Sequence, residues 1–157
     1  MSWPSVELDP IRRLHVLASA IPGAAVAEAL LDAPFEDVWA AATDFENAVP
    51  RIELFIGRAR VVSREGERVS VQITPPMIRR PQPLEVVLRP GWCWMVSPMA
   101  IAGMAAVPEG EGTRFAHLEA LAIPGGRMAG PLLSAKMALA GELKRIERIA
   151  RERRAGR

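Results

Sequence analysis

The chain has no tyrosine, a single cysteine (Cys93) and two histidines among its 157 residues. One cysteine excludes an intramolecular disulfide and a cysteine-rich metal site. No apolar run is long enough to cross a bilayer as a helix. The longest candidate, Trp92 to Val107, is broken by Pro98 and Gly103 and reads as two strands. Also missing are a phosphate-cradling glycine loop, a Gly-x-Ser-x-Gly elbow, a His-Glu-x-x-His helix and any nucleotide fingerprint. The first residues lack the ordered charged, apolar and small-residue regions of a secretory signal, since Trp3-Pro4 is followed by Glu7 and Asp9. The expected location is the cytoplasm of a bacterium, and 18 Arg against 2 Lys with abundant Ala suggest a GC-rich genome.

What is present fits one globular unit. Half of the residues are apolar and 24% are charged, enough for a sizeable core in a chain of this length. The net charge of +2 is unevenly spread. Glu142 to Arg157 holds seven basic and three acidic residues, or +4, leaving −2 for the rest. Such an end suits an anionic partner or, more simply, a solvated helix face whose cations complement the negative helix terminus. It holds no aromatic side chain to stack on bases, so no nucleic-acid partner is expected.

Asp9-Pro10 marks the start of an N-terminal helix, with Ile11, Leu14 and Ala18 as its stripe and Pro22-Gly23 as its stop. Residues 1–23 form this extension and 24–157 the main domain. Ala25 to Leu31 reads as a strand. Pro34 then opens a short helix whose Phe35, Val38, Trp39 and Ala42 recur at helical spacing, with Glu36 and Asp37 in the first turn and Trp39 in the core. Asp44 can cap a second short helix, which Pro50 helps to end. A series of strands follows: Arg58–Arg64, Arg68–Thr74, Leu84–Arg89, Trp92–Ser97, Met99–Val107 and Thr113–Ile123. Turn signals at Glu65-Gly66-Glu67, Pro90-Gly91 and Pro108 to Gly112 join them. The four prolines from Pro75 to Pro83 make a rim loop with Arg79 and Arg80. After a hinge at Gly125-Gly126, a long helix runs to about Arg154 with the stripe Met128, Leu132, Ala135, Leu139, Leu143, Ile146 and Ala150.

This order of elements resembles the helix-grip superfamily of START domains, birch-pollen-allergen-like proteins and polyketide cyclases, known as SRPBCC. The likeness rests on the Ala33-Pro34 helix start with Val38-Trp39, the Asp44-Phe45-Glu46 segment, the Gly112-Thr113-Arg114 strand entry and the long last helix. It implies an α+β fold: a curved antiparallel sheet wrapped around a long C-terminal helix, with two short helices after the first strand. The N-terminal helix is additional, suited to covering the sheet or to pairing two copies. The family pattern carries an aromatic near 48–49 and tyrosines near its cavity. Here Ala48 and Val49 stand instead, and the chain has no phenol to offer.

The resemblance implies an internal cavity, and the residues are compatible with one. In the last strand Thr113, Phe115, His117, Glu119 and Leu121 share a face, and by similarity to the family Phe115 and His117 point toward the helix. Trp92, Trp94 and Val96 share one face of their strand, Cys93 and Met95 the other, and Ala100, Ala102, Gly103, Ala105 and Ala106 keep the adjacent strand slim. The expected ligand-lining set is Trp92, Trp94, Met104, Phe115, His117, Leu132 and Leu139, with Arg89 at the mouth. Arg79, Arg80 and Arg89 suit either an anionic head group or plain solvation.

His117 and Glu119 are the candidate catalytic pair, about 7 Å apart along one face of a strand. Glu119 could hold the imidazole while His117 moves a proton at a bound carbonyl. The same pair also fits a polar sheet edge or an ion pair with Arg89. No metal or cofactor is expected: His15 lies on the separate N-terminal helix, and no clustered ligand set joins His117 and Glu119. The leading expectation is binding or transport of a small hydrophobic or amphipathic molecule (lipid, polyketide, isoprenoid or aromatic) without stable membrane insertion. The rivals are a polyketide cyclase/aromatase-like enzyme using His117 and Glu119, and a non-catalytic interaction module that pairs through its first helix. Cys93 is expected to be an inert buried thiol.

Overall fold

The computed structural model describes residues 7–121 and 132–157, with side chains from 136 onward in the last stretch. Its elements are α1 (Pro10–Ala20), β1 (Ala25–Leu31), α2 (Phe35–Ala42), α3 (Val49–Ile52), β2 (Arg58–Glu65), β3 (Arg68–Thr74), β4 (Gln82–Arg89), β5 (Trp92–Val96), β6 (Ala100–Glu109), β7 (Gly112–Leu121) and α4 (Leu132–Ala155). The strands form one antiparallel sheet in the order β1-β7-β6-β5-β4-β3-β2. Each strand from β2 to β7 pairs with the next in sequence, and β1 returns to the far edge beside β7. The expected end of the last strand at Ala122 and Ile123, the Gly125-Gly126 hinge and Met128 fall outside the described residues, as do the side chains of Leu132 and Ala135.

Local chemistry explains the element ends. Asp9 caps α1 by accepting from the Arg12 N–H at 3.1 Å, and Pro10 occupies the first helical turn. Pro34 precedes α2, whose first turn holds Glu36 and Asp37 beside the positive helix end. Asp44 differs from expectation. It opens the turn before α3, accepting from the Asn47 N–H at 3.2 Å, and Pro50 lies in the first turn of α3 rather than at its end. A proline there costs no intrahelical hydrogen bond.

The sheet has two covered faces. On the concave side, α2, α3 and α4 close over Val69, Val71, Val86, Met95, Met104 and Phe115. Leu139, Leu143, Ile146 and Ala150 of α4 are buried there, as their spacing predicts. On the convex side α1 lays Ile11 and Leu14 against Ala105, Ala116, Leu118, Trp92 and Trp94. Gly103 makes that approach feasible: a Cβ at this position would lie 2.8 Å from Cδ1 of Leu14 and 2.9 Å from the Trp94 ring. Arg13 covers the outer end with its guanidinium 5.5 Å from the Trp92 ring centre, a cation–π contact. The first helix thus spends its apolar stripe on its own sheet.

The basic C-terminus is tied down by ion pairs with the rest of the chain. Arg151 reaches Asp32 at 2.7 Å, Arg51 reaches Glu152 at 3.0 Å, Arg153 reaches Asp44 at 3.2 Å, and Arg157 meets Asp37. Arg145 donates to the Ile52 carbonyl at 2.7 Å, pinning the end of α3 to α4. Four of the seven cations, Arg145, Arg151, Arg153 and Arg157, thus clasp α4 to the stretch from Asp32 to the end of α3. At the opposite margin, edge strand β2 carries Arg58, Arg60 and Arg64 and a register shift between Val61 and Ser63.

Candidate functional site

Four ionisable side chains converge on the concave face. His117 comes from the middle of β7, where it pairs with Ala27 of β1 and Met104 of β6. Glu119 follows on the same face, between Ala25 and Ala102. Glu142 projects from α4 between buried Leu139 and Leu143, so the helix face that packs on the sheet carries it inward. Glu53 is the residue that ends α3, its N–H donating to the Val49 carbonyl at 2.8 Å. Arg145 fixes that end by holding the preceding carbonyl.

The imidazole lies between two carboxyl groups. Its Nδ1 is 2.9 Å from Oε2 of Glu142 and its Nε2 is 3.5 Å from Oε1 of Glu53. One atom from each of Glu53, His117, Glu119 and Glu142 falls within 4.8 Å of the others. His117, Glu53 and Glu142 are buried, and Glu119 is partly so. Among the described residues, both ring nitrogens and Oε2 of Glu142 nonetheless lack a hydrogen bond of acceptable geometry. The atoms are near one another without being satisfied.

Burial and mutual charge shift the protonation of this group. Desolvation pushes the Glu53 carboxyl well above the ordinary range, aided by the charges of Glu119 and Glu142 and opposed by His117. Desolvation likewise raises Glu119. Burial pulls His117 down, but the adjacent carboxyl of Glu142 and the charges of Glu53 and Glu119 outweigh it, so the imidazole holds its proton more tightly than usual. Near neutrality the cluster therefore combines an imidazolium with at least one carboxyl inclined to stay protonated. Groups that can give and take protons share one small space.

The expected site residues divide cleanly. Phe115, Met104, Leu139 and His117 are buried on the concave side or on the helix that covers it. Trp92 and Trp94 are not: they stack with each other, centroids 6.2 Å apart, on the convex face beneath α1. The alternation of β5 is as expected, but its inward side belongs to Cys93 and Met95. The reason is that α1 gives the sheet a second apolar face, so side-chain polarity alone does not distinguish inside from outside. Arg89 also points outward, pairing with Glu67 at 2.7 Å, with both side chains more than half exposed. It neither lines the interior nor touches His117. The side chain of Leu132 lies outside the described residues.

Glu119 shares a space with His117, yet the carboxyl against the ring is that of Glu142. The expectation that no set of ligand-type residues gathers at His117 is also corrected, because Glu53 and Glu142 complete one. Glu142 carries a signal in the sequence: it sits three residues after Leu139 and four before Ile146, inside the apolar stripe. Glu53 carries none, since its role depends on where α3 ends.

Two shallow grooves lie elsewhere. One, of about 440 Å³, is lined by Glu36, Asp37, Ala40, Arg153, Gly156 and Arg157. The other, of about 360 Å³, includes Phe35, Pro108, Gly112 and Arg154. Gly112 is five residues along β7 from His117, about 17 Å at strand rise. Neither groove includes a member of the cluster.

No family model and no curated protein matches the chain. Solved structures do. TTHA0849 from Thermus thermophilus matches with a TM-score of 0.57 and 21% identity, over 81% of this chain and 96% of that one. The Zhui aromatase/cyclase from a Streptomyces species matches with a TM-score of 0.61 and 12% identity, over 83% and 94%. A START superfamily protein from Mycobacterium smegmatis matches with a TM-score of 0.56 and 12% identity, over 83% and 95%. The chain therefore has the helix-grip fold of the SRPBCC proteins, as its element order implies.

Proposed function

We propose that the chain binds a small hydrophobic or amphipathic molecule, such as a lipid, polyketide, isoprenoid or aromatic compound, between β6–β7 and α4. The carrying observation is the buried His117–Glu53–Glu119–Glu142 group on a face otherwise slim and apolar, with Ala25, Ala27 and Ala102 flanking it. Burying several ionisable groups costs several kcal/mol per ion, so a chain optimised for stability alone would place apolar residues there. A polar head recognised by the cluster, with an apolar body over partly exposed Ala102 toward the rim, would use both kinds of surface.

The surroundings support entry at that end. Glu53 runs directly into Leu54 and Phe55, which are 62% and 74% exposed. Leu121 follows Glu119 and Met137 precedes Glu142, and both are exposed. A bridge between Gly57 and Thr74 holds this loop beside the proline-rich segment, where Met77 is 90% exposed. Exposed apolar residues flanking a partly buried site form a rim over which an oily molecule can pass.

The test is native mass spectrometry of gently purified protein, followed by uptake of a panel of fatty acids, isoprenoids and polycyclic aromatics. One bound molecule per chain is expected, and Ala102→Trp, which fills the concave face, should abolish binding without unfolding the protein. No uptake of any panel member, or uptake indifferent to Ala102→Trp, would sink the reading.

A second reading is an aromatase/cyclase-like enzyme in which His117 moves a proton at a ligand carbonyl. Its support is the proton-holding imidazole between Glu142 and Glu53, together with the fold shared with the Streptomyces aromatase/cyclase. His117→Gln should then retain ligand binding and lose turnover of a poly-β-ketone substrate.

A further inference from the structure

We propose that Glu53, His117, Glu119 and Glu142 form a binding site for a divalent first-row transition ion, with Zn2+ and Mn2+ as its nearest probes. The inference stands on the cluster alone and holds whether or not the interior takes an apolar ligand.

Geometry comes first. Four ligands about 2.1 Å from a central ion lie roughly 3.4 Å apart in a tetrahedron and about 4.2 Å apart when opposite each other. One atom from each residue already falls within 4.8 Å of the others, and whichever ring nitrogen ligates has a carboxyl oxygen beside it, Glu142 at 2.9 Å from Nδ1 or Glu53 at 3.5 Å from Nε2. Closing on an ion needs the widest separations to shorten by about 1.4 Å, within reach of side-chain rotation. The backbone is firm where it matters: β7 lies between β1 and β6, α4 packs on the sheet, and Arg145 fixes the end of α3.

The second support is the lack of hydrogen bonds. Among the described residues, Nδ1 and Nε2 of His117 and Oε2 of Glu142 are buried and without a well-aligned partner, although all three belong to the group. Buried polar atoms in native proteins are overwhelmingly paired, so three adjacent exceptions need an occupant. An imidazole can give an ion one nitrogen, because its ring lone pairs point apart. The other N–H is then held by the carboxylate facing it, which fixes the ring's tautomer and orientation while the remaining two carboxylates ligate beside the coordinating nitrogen. His117 has a carboxyl near each nitrogen, so either choice leaves the remaining N–H with an acceptor.

Charge and ligand type select the ion. Three carboxyls around one imidazole in a buried space favour a compact divalent cation, which balances two of them while the third keeps its proton. Imidazole nitrogen with carboxylate oxygen favours Zn2+, Mn2+ or Fe2+, whereas Ca2+ seeks six to eight oxygens and Mg2+ retains several waters. Partly exposed Glu119 and Ala102 leave an approach from the rim.

The experiment uses the full chain, tag removed, stripped with chelator and desalted. Titration with ZnCl2 and MnCl2 by calorimetry should show one equivalent bound per chain, with a rise in melting temperature. Mg2+ and Ca2+ should bind roughly 100-fold more weakly. Glu53→Gln and Glu119→Gln should each weaken Zn2+ binding roughly 10- to 100-fold, and His117→Ala should remove it. His15→Ala is the control, because His15 and Glu28 form an exposed pair 2.7 Å apart that could scavenge zinc. The wild-type titration decides the matter even where a variant fails to fold. No saturable uptake of either ion up to about 1 mM, or uptake lost in His15→Ala and kept in the cluster variants, overturns the proposal.

Discussion

Glu142 on the C-terminal helix and His117 on the last strand place a carboxylate oxygen 2.9 Å from an imidazole nitrogen, both residues buried. The contact joins the two layers of the grip at their most polar point. Removing one partner leaves the other desolvated and uncompensated. Glu142→Ala should therefore lower stability by about 3 kcal/mol in urea unfolding, whereas the double change His117→Leu with Glu142→Leu should recover most of that loss. A single-variant loss below about 1 kcal/mol would show that the contact does not bind the layers together.

The convex layer gives an independent test. Leu14 is fully buried between α1 and the sheet. Leu14→Ala should cost about 3 kcal/mol, and the emission of Trp92 and Trp94 should shift to longer wavelength as water reaches them. Gly103→Val should do the same by pushing α1 away. Unchanged emission in both variants would contradict the docking of α1.

Thr113 makes a buried side-chain hydrogen bond, donating from Oγ1 to the Ala33 carbonyl at 2.8 Å. It ties the start of β7 to the entry of α2. Thr113→Val keeps the shape and removes the donor, leaving a buried carbonyl unpaired. A loss of about 1–2 kcal/mol by chemical denaturation is expected.

Cys93 should be inert in the folded protein. It is fully buried on the concave face, and desolvation pushes its thiol far above the ordinary range. A disulfide reagent should leave it unmodified under native conditions and titrate one thiol per chain in denaturant. Rapid native labelling would mean that the concave face opens readily.

Arg89 is expected to be dispensable. Its partner Glu67 is as exposed as it is, and such pairs contribute about 0–1 kcal/mol. Arg89→Ala should leave the uptake of acidic and neutral amphiphiles equal to wild type. Selective loss of acidic ligands would return Arg89 to the site.

Much of this architecture is legible in the residues. Asp9-Pro10, Ala33-Pro34 and the hairpin glycines mark boundaries that depend on local chemistry, and the alternation Phe115-Ala116-His117-Leu118-Glu119 places His117 and Glu119 on one face. Local pattern does not say which face of β5 turns inward. Trp92 and Trp94 are as apolar as Cys93 and Met95, and the chain covers both sides. Gly103 shows the same ambiguity: its missing side chain makes room for Leu14 rather than for a ligand. Glu142 is readable as a carboxyl inside an apolar stripe, but the many charges that follow it disguise it as one more solvated acid. Glu53 becomes part of the site only through tertiary placement, because nothing in Ile52-Glu53-Leu54 distinguishes it from a surface acid.

A bent strand layer that does not close into a barrel leaves two margins, here β1 and β2, and β2 is the one lined with arginine. Its three guanidinium groups and its kink between Val61 and Ser63 make end-on recruitment of another chain's strand costly, by repulsion and by mismatched geometry. Exchanging Arg58, Arg60 and Arg64 for threonine or valine would turn a guarded boundary into a template for growth. On that side the arginines let the sheet stay open enough to hug a helix while discouraging growth by strand addition.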